Sequence, residues 1–273
     1  MPPESLHFEA LGTTCSLFAV GLSQDRLRDG ESWVHEVGAR LTRFSADSEL
    51  SRLNAAHGFW AEVSADTEAV LRQALVAYET SYGLVNAAVL PSMRAIGYVQ
   101  SMAAGPGAVM LDAATPVPPL TDVLEVEPGR ARVRDGAGID LGGIAKGWMA
   151  DRLSEQLGDN VLANIGGDLR ARGRGPAGEG WPVGFAGTTV LLRDQGAATS
   201  SIRKRRWGDV HHLIDPRTGR PARTGLVEVS VVAETGFAAE VAAKTALLLG
   251  REIAPAYCAA NALAWWLSDG DDS

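Results

Sequence analysis

Cysteine and surplus positive charge are both scarce in this chain. Its 273 residues include only 2 cysteines, Cys15 and Cys258. They have neither the spacing of a metal site nor the density of a disulfide scaffold, so both read as buried thiols. Lys and Arg total 25 against 33 Asp and Glu, a formal net charge of −8. A surface that is acidic on average repels phosphate backbones, which excludes nucleic acid as the expected partner. The run Arg203, Lys204, Arg205, Arg206 is a local exception, open to reading as a solvated loop or an anion-facing edge. No apolar run reaches the ~18 residues that a membrane span requires. MPPESLHFEALG lacks the basic and apolar regions of a secretion signal, so the expectation is a cytoplasmic chain without a membrane span.

Apolar residues make up 46% of the chain, enough to bury a core. Residues 5–20 alternate as a strand would, broken by Gly12, and 25–43 recur at helical spacing through Leu27, Trp33, Val34, Val37 and Leu41. A second helix is expected over Asp66–Tyr82, with Asp66 as cap and Gly83 as stop. A surface excursion rich in Pro, Ala and Asp, residues 106–128, leads to ARVRDGAGIDL. That stretch reads as a hairpin with an Asp-Gly turn and Asp140 at the end of its second strand. A helix over 147–157 precedes strands in VLANIGGDLRARG, WPVGFAG and TTVLLRD. Then come an alternating strand, 226–233, an Ala-rich helix, 236–250, and a last strand, NALAWWLS, before an acidic tail. Helices and strands mix without the regular alternation of a doubly wound sheet. The expected class is α+β, a mixed sheet with helices, as one domain over 1–273 with two lobes.

Three constellations carry chemistry. Gly173, Gly175 and Gly178 spell G-x-G-x-x-G, but Pro176 lies inside it and a strand rather than a helix follows, so it is no dinucleotide fingerprint. IDLGGIAKGWMADRL sets Asp140, Gly142, Gly143 and Lys146 at a helix start, where bare backbone N–H groups and a lysine favour an anion; a tight turn with a solvated lysine is the alternative. A second pair, Gly166 and Gly167, follows another apolar strand and is either a plain turn or part of the same site. In ATSSIRKRRWGDVHHLIDPRTGRPA, His211 and His212 alternate faces if the chain is extended, so only one can serve a given site as a general base or phosphate ligand.

FEALGTT, RFSADSELSRLN, IDLGGIAKGWMADRL, NIGGDLRARG and ATSSIRKRRW with HHLIDPRTGRPA, in that order along nearly the whole chain, resemble the ApbE family of FAD:protein FMN transferases. The resemblance implies an ApbE-like, T-fold-related architecture with two lobes around a flavin cleft. It also implies that FAD is the substrate and that Mg2+ sits at its pyrophosphate. A Thr or Ser hydroxyl of an acceptor protein takes FMN, and AMP leaves. Matched onto this sequence, Asp140 and Lys146 are the acid and lysine at the flavin, and His212 is the candidate that activates the acceptor. Leu11, Phe44, Ala95, Ile96, Gly97 and Ile214 fall where the family contacts the nucleotide, and Gly143 offers a carbonyl to the metal. The family's late helix carries an Asp four residues before a Thr as further metal ligands. Here Thr245 is preceded at that distance by Val241, and the nearest acid is Glu240, turned by about 100° around the helix. Asn86 and Ala87 stand where the family more often has Asp-Pro. The same residues would serve two alternatives, a non-catalytic FAD-binding protein and a metal-dependent FAD pyrophosphatase.

Overall fold

Alternating apolar residues drive seven segments into one sheet, ordered Glu4–Ala10, Thr13–Ala19, Val161–Ile165, Asp168–Arg172, Gly196–Ser201, Leu226–Ala233 and Ala264–Asp269. This computed structural model describes residues 2–101, 104–111, 114–185 and 187–270. Residues 112 and 113 of the expected surface excursion and the acidic tail from 271 on lie outside them. The chain forms two units, one from residues 1–36, 145–200 and 225–273, which holds the sheet, the other from 37–144 and 201–224. The helix Gln24–Leu41 supplies residues to both.

In the sheet unit, two hairpins end at the same edge. Ala10 pairs with Thr13 and Ile165 with Asp168, so Leu11–Gly12 and Gly166–Gly167 are two-residue turns. All four residues have positive φ, between 56° and 98°, as mirror-image turns demand. A Cβ on Gly166 would strike the Thr13 side chain, which sets the two turns side by side.

The helices Ala145–Leu157 and Gly236–Leu249 pack on each other and on this sheet. Their contact is tight because both residues at the crossing are glycine: a Cβ on Gly147 would lie 2.6 Å from the Gly236 carbonyl oxygen. Asp151 accepts from the Gly236 and Phe237 N–H groups at 2.7 and 2.9 Å, and the Thr235 hydroxyl accepts from Ala238 N–H, so the start of the second helix is capped twice. Leu162, Leu169 and Ala171 alternate away from these helices and form a second core with Trp181, Phe185, Leu192 and Val232. The hairpin Trp181–Phe185 and Thr188–Leu192 supplies Trp181, Phe185 and Leu192 to that core, and the G-x-G-x-x-G stretch before it forms turns rather than a helix start.

The other unit contains the helices Glu49–Asn54, Ala65–Thr80 and Leu90–Ala95, a three-stranded sheet and two short ladders. Two expectations need correction. The helix begins one turn's cap earlier than read: Ser64, not Asp66, accepts from the Thr67 N–H, while Asp66 sits in the first turn and pairs with Arg40. The stretch before Asp140 is not a strand. Arg130–Val133 pairs instead with Leu124–Glu127 and Ala61–Glu62, and Ile139 is held by a side chain. The Asn54 amide donates to the Ile139 carbonyl at 2.9 Å and accepts from its N–H at 2.8 Å, so both backbone groups are satisfied without a strand partner.

Candidate functional site

In the sheet unit, Lys146 stands one residue inside the helix Ala145–Leu157, with its side chain 16% exposed. Its ammonium bonds the Asp168 carboxylate directly and lies 3.1 Å from Glu240 Oε1. Asp168 starts the strand after the Gly166–Gly167 turn, and Glu240 lies on the late helix, so three separate motifs converge through the Gly147–Gly236 contact. The second Glu240 oxygen accepts from the Gly147 N–H at 2.9 Å. Burial would raise the Glu240 carboxyl, but attraction to Lys146 and Lys244 and the Gly147 bond outweigh it and hold the group below its ordinary range. Glu240 is therefore ionised, facing the Lys146 ammonium. Cys15 lies nearby; burial pushes its thiol up to about 11, so it is a packed, unreactive residue.

In the other unit, Arg43 is the centre. Its Nε donates to Asp140 Oδ2 at 2.5 Å, and its guanidinium lies 4.3 Å from the centre of the Phe44 ring and 4.5 Å from that of Tyr98. The side chain is only 6% exposed, yet Nη2 has no hydrogen-bond partner among the described residues. Asp140 uses its other oxygen to accept from the Gly142 N–H, fixing the turn that contains Gly143. Tyr98 continues to Trp207, and Ile96 and Ile214 pack with it. Phe44, Ile96, Ile214 and Asp140, drawn from four stretches of sequence, are thus brought together.

The loop of Ala95, Ile96 and Gly97 is clasped from outside. Its three carbonyls accept from Met110 N–H, the Trp207 indole and Gly107 N–H at 2.6, 2.9 and 2.7 Å. Gly97 has φ +81° and its missing Cβ would strike the Gly107 backbone, so only glycine fits. Nearby, Asn86 caps the short turn Ala87–Val89 through its side-chain oxygen and ties Pro118 with its amide.

The two histidines differ in burial. His211 is buried, donates from Nε2 to the Ala222 carbonyl at 3.0 Å and accepts at Nδ1 from the Leu213 N–H at 3.3 Å. That pattern assigns the neutral ring with its proton on Nε2, and burial lowers its pKa accordingly. Both of its nitrogens are committed to backbone groups, and the neighbouring His212 is half-buried. The basic run is mostly exposed, with Arg203, Lys204 and Arg206 facing solvent.

The proposed metal ligands do not fit a divalent cation well. The Thr245 hydroxyl is fully buried and donates to the Val241 carbonyl at 2.8 Å, one turn back on its own helix. Both Glu240 oxygens already have positive or N–H partners. Among the described residues, no three His, Cys, Asp or Glu side chains gather as a ligand set.

Sequence reading missed Arg43, Asn54, Asp168 and Lys244. All but Lys244 lay inside quoted motifs, and the available signal for that one was the Glu-Lys spacing of one helical turn on the late helix.

In the sheet unit, a lysine held at a helix start suits an anion, and in the other unit a guanidinium between two aromatic rings suits a flat ring with an acceptor. The fold carrying them is a mixed α/β architecture. The ApbE family model matches residues 11–266, and the chain belongs to that family. It is 27% identical to the FAD:protein FMN transferase of Vibrio cholerae, over 95% of this chain and 86% of that protein. It is 25% identical to the Haemophilus influenzae protein of the same name, over 87% and 76%. Among solved structures, the apo form of Pseudomonas stutzeri flavinyl transferase ApbE matches with a TM-score of 0.82 at 21% identity, covering 97% of this chain and 92% of that one. That likeness establishes the fold.

Proposed function

We propose that this chain is a flavin transferase, moving FMN from FAD to a Thr or Ser hydroxyl of an acceptor protein with release of AMP. The observation that carries this is the convergence on Arg43: Phe44, Tyr98, Ile96, Ile214 and Asp140 form a ring-lined, charged seat from separate motifs. Family membership and the names of the relatives supply the reaction class. We assign both units to one functional domain over 1–273, since the family match runs through segments of each.

In this reading the acceptor oxygen attacks the FMN phosphorus, the anhydride bond breaks, and the bridging oxygen leaves with AMP. Such transfer depends on positioning and charge neutralisation. His212 receives the hydroxyl proton, because His211 has both ring nitrogens committed to the backbone. Lys146 supplies positive charge at the phosphates, and Asp140 fixes Arg43 beside the rings. Leu11, Ala95 and Gly97 contribute backbone near the nucleotide. Magnesium, expected from the resemblance, is given no step here because the donors assigned to it are engaged elsewhere. No helix among the described residues is long and apolar enough to cross a membrane, and a cytoplasmic location remains part of the proposal, in keeping with two buried free thiols.

The test is incubation of the purified protein with FAD and an acceptor carrying a flavinylation Thr or Ser. The expected outcome is a mass gain of one FMN on the acceptor and one AMP per transfer, lost in His212→Ala while FAD binding persists. FMN and AMP appearing without acceptor would mark a pyrophosphatase, and FAD binding without AMP a non-catalytic flavoprotein.

A further inference from the structure

The acid that turns into the Lys146 cluster is Glu240, with its side chain 4% exposed. One helical turn further on, the position that would sit beside it holds Lys244 rather than a hydroxyl. Thr245 lies one residue beyond, and its hydroxyl is bonded to its own helix. Counted from the acid that faces the cluster, the acid-and-threonine pair expected of this family is therefore a glutamate-and-lysine pair.

A hard divalent cation needs about six oxygen ligands at short range and adds two positive charges. This cluster offers neither the oxygens nor the demand for charge. Lys146 bonds Asp168 and Glu240, the second Glu240 oxygen holds the Gly147 N–H, and Lys244 attracts Glu240 from the same helix. An ammonium group is a compact point charge with three donors, able to bond carboxylate and phosphate oxygens together.

We propose that Lys244, together with Lys146, is a built-in cation that takes the place of a divalent ion at this cluster, so that the chain holds the phosphates of FAD without a bound metal. The identity of the ligand rests on the flavin-transferase reading; the state of the cluster does not. The consequence is a flavin site whose affinity is indifferent to chelators.

The experiment titrates Mn2+ into the intact protein, with and without FAD, and reads bound ion from the loss of the free-ion EPR signal. The unaltered protein is expected to show no saturable Mn2+ site. Lys244→Thr, which places a hydroxyl one turn from Glu240, is expected to gain one. FAD affinity, read by flavin fluorescence, is expected to change less than about twofold between EDTA and excess Mg2+. One equivalent of Mn2+ bound by the unaltered protein and lost in Glu240→Gln would overturn the proposal, as would FAD binding that requires Mg2+. A folded Lys244→Thr protein, verified by circular dichroism, that is as blind to Mn2+ as its parent would remove Lys244 from the role. If FAD fails to bind under any condition, the flavin reading falls instead, and the Mn2+ titration without FAD still decides the cluster.

Discussion

Lys146, half-buried, and Arg43, with its side chain buried, are both cations next to a carboxylate, but the sheet unit and the other unit treat them differently. Lys146 bonds the Asp168 and Glu240 carboxylates, and Lys244 attracts Glu240 from the same helix, so the cation has acidic partners on two sides. Arg43 has one carboxylate, Asp140, and two aromatic faces, and its Nη2 has no acceptor among the described residues. The lesson is that burial of a cation serves opposite ends. A closed set of ion pairs locks two helices and a strand together, whereas an incompletely bonded guanidinium keeps a donor in reserve for an incoming acceptor.

The comparison breaks most visibly if the matched cluster is opened. Glu240→Ala leaves Lys146 with a single partner and the Gly147 N–H buried without one, and stability is expected to fall by about 3–5 kcal/mol, measured by denaturant unfolding. A loss under about 1 kcal/mol, the level of an exposed pair, would show that the cluster is solvated and only positions charge.

Arg43 should respond in affinity more than in stability. Arg43→Lys keeps the charge but loses the planar group that lies against both rings and the fixed fork toward Asp140. FAD affinity is expected to drop about tenfold, or 1.4 kcal/mol, by fluorescence titration. Unchanged FAD affinity with a large drop in melting temperature would make Arg43 a structural residue like Glu240.

This contrast also separates what could be read in advance from what could not. The strand Leu226–Ala233 and the helix Gly236–Leu249 were legible because burial writes its period into local sequence. The turn at Gly166–Gly167 was legible for a different reason, since two adjacent positive-φ residues call for glycine. Asp140 was placed at a strand end because an Asp-Gly turn precedes it, but Asn54, 85 positions from Ile139, supplies the partner a strand would have supplied. Asp151 capping the start of another helix, and Glu240 reaching Gly147, are likewise contacts between distant segments. Polar side chains that satisfy remote backbone groups leave no periodic trace. On the late helix, Glu240 meets Lys146 and the Gly147 N–H, while the Thr245 hydroxyl bonds its own helix, again through contacts that leave no period in the sequence.

Acid should distinguish the units next. His211 is held neutral by burial, with a folded pKa below the ordinary 6.5. The unfolded chain then takes up a proton first, so the stabilisation is complete above about pH 6.5 and is lost as pH falls through the lowered folded value. The Glu240 carboxyl also has a lowered pKa, but relative to 4.5, so its loss comes at more acidic pH. Hydrogen exchange at pH 5.5 is therefore expected to show faster opening around Val210–His211 and Ala222 than at pH 7.5, with Val161–Ile165 unchanged. Equal acceleration in both places would mean that the units do not open separately, and loss of the effect in His211→Gln would assign it to that ring.

The smallest effect concerns the two turns at the edge of the sheet. Gly166–Gly167 adopts its positive φ values without a side-chain penalty, but Leu11, at φ 56°, places a bulky side chain in the left-handed region. Such strain persists where the surroundings enforce it or a function rewards it. The register Ala10–Thr13 enforces a two-residue turn here, and Asn at its first position would fit that turn better than Leu. Leu11→Asn is accordingly expected to raise stability by about 0.5–1 kcal/mol in thermal unfolding, on the scale of relieved backbone strain. If the leucine is retained for a contact with the nucleotide, the same variant binds FAD more weakly while it melts higher. A variant that gains stability with no change in FAD affinity would reduce Leu11 to an accident of the hairpin and leave the phosphate end of the sheet unit to Lys146 and the backbone around it.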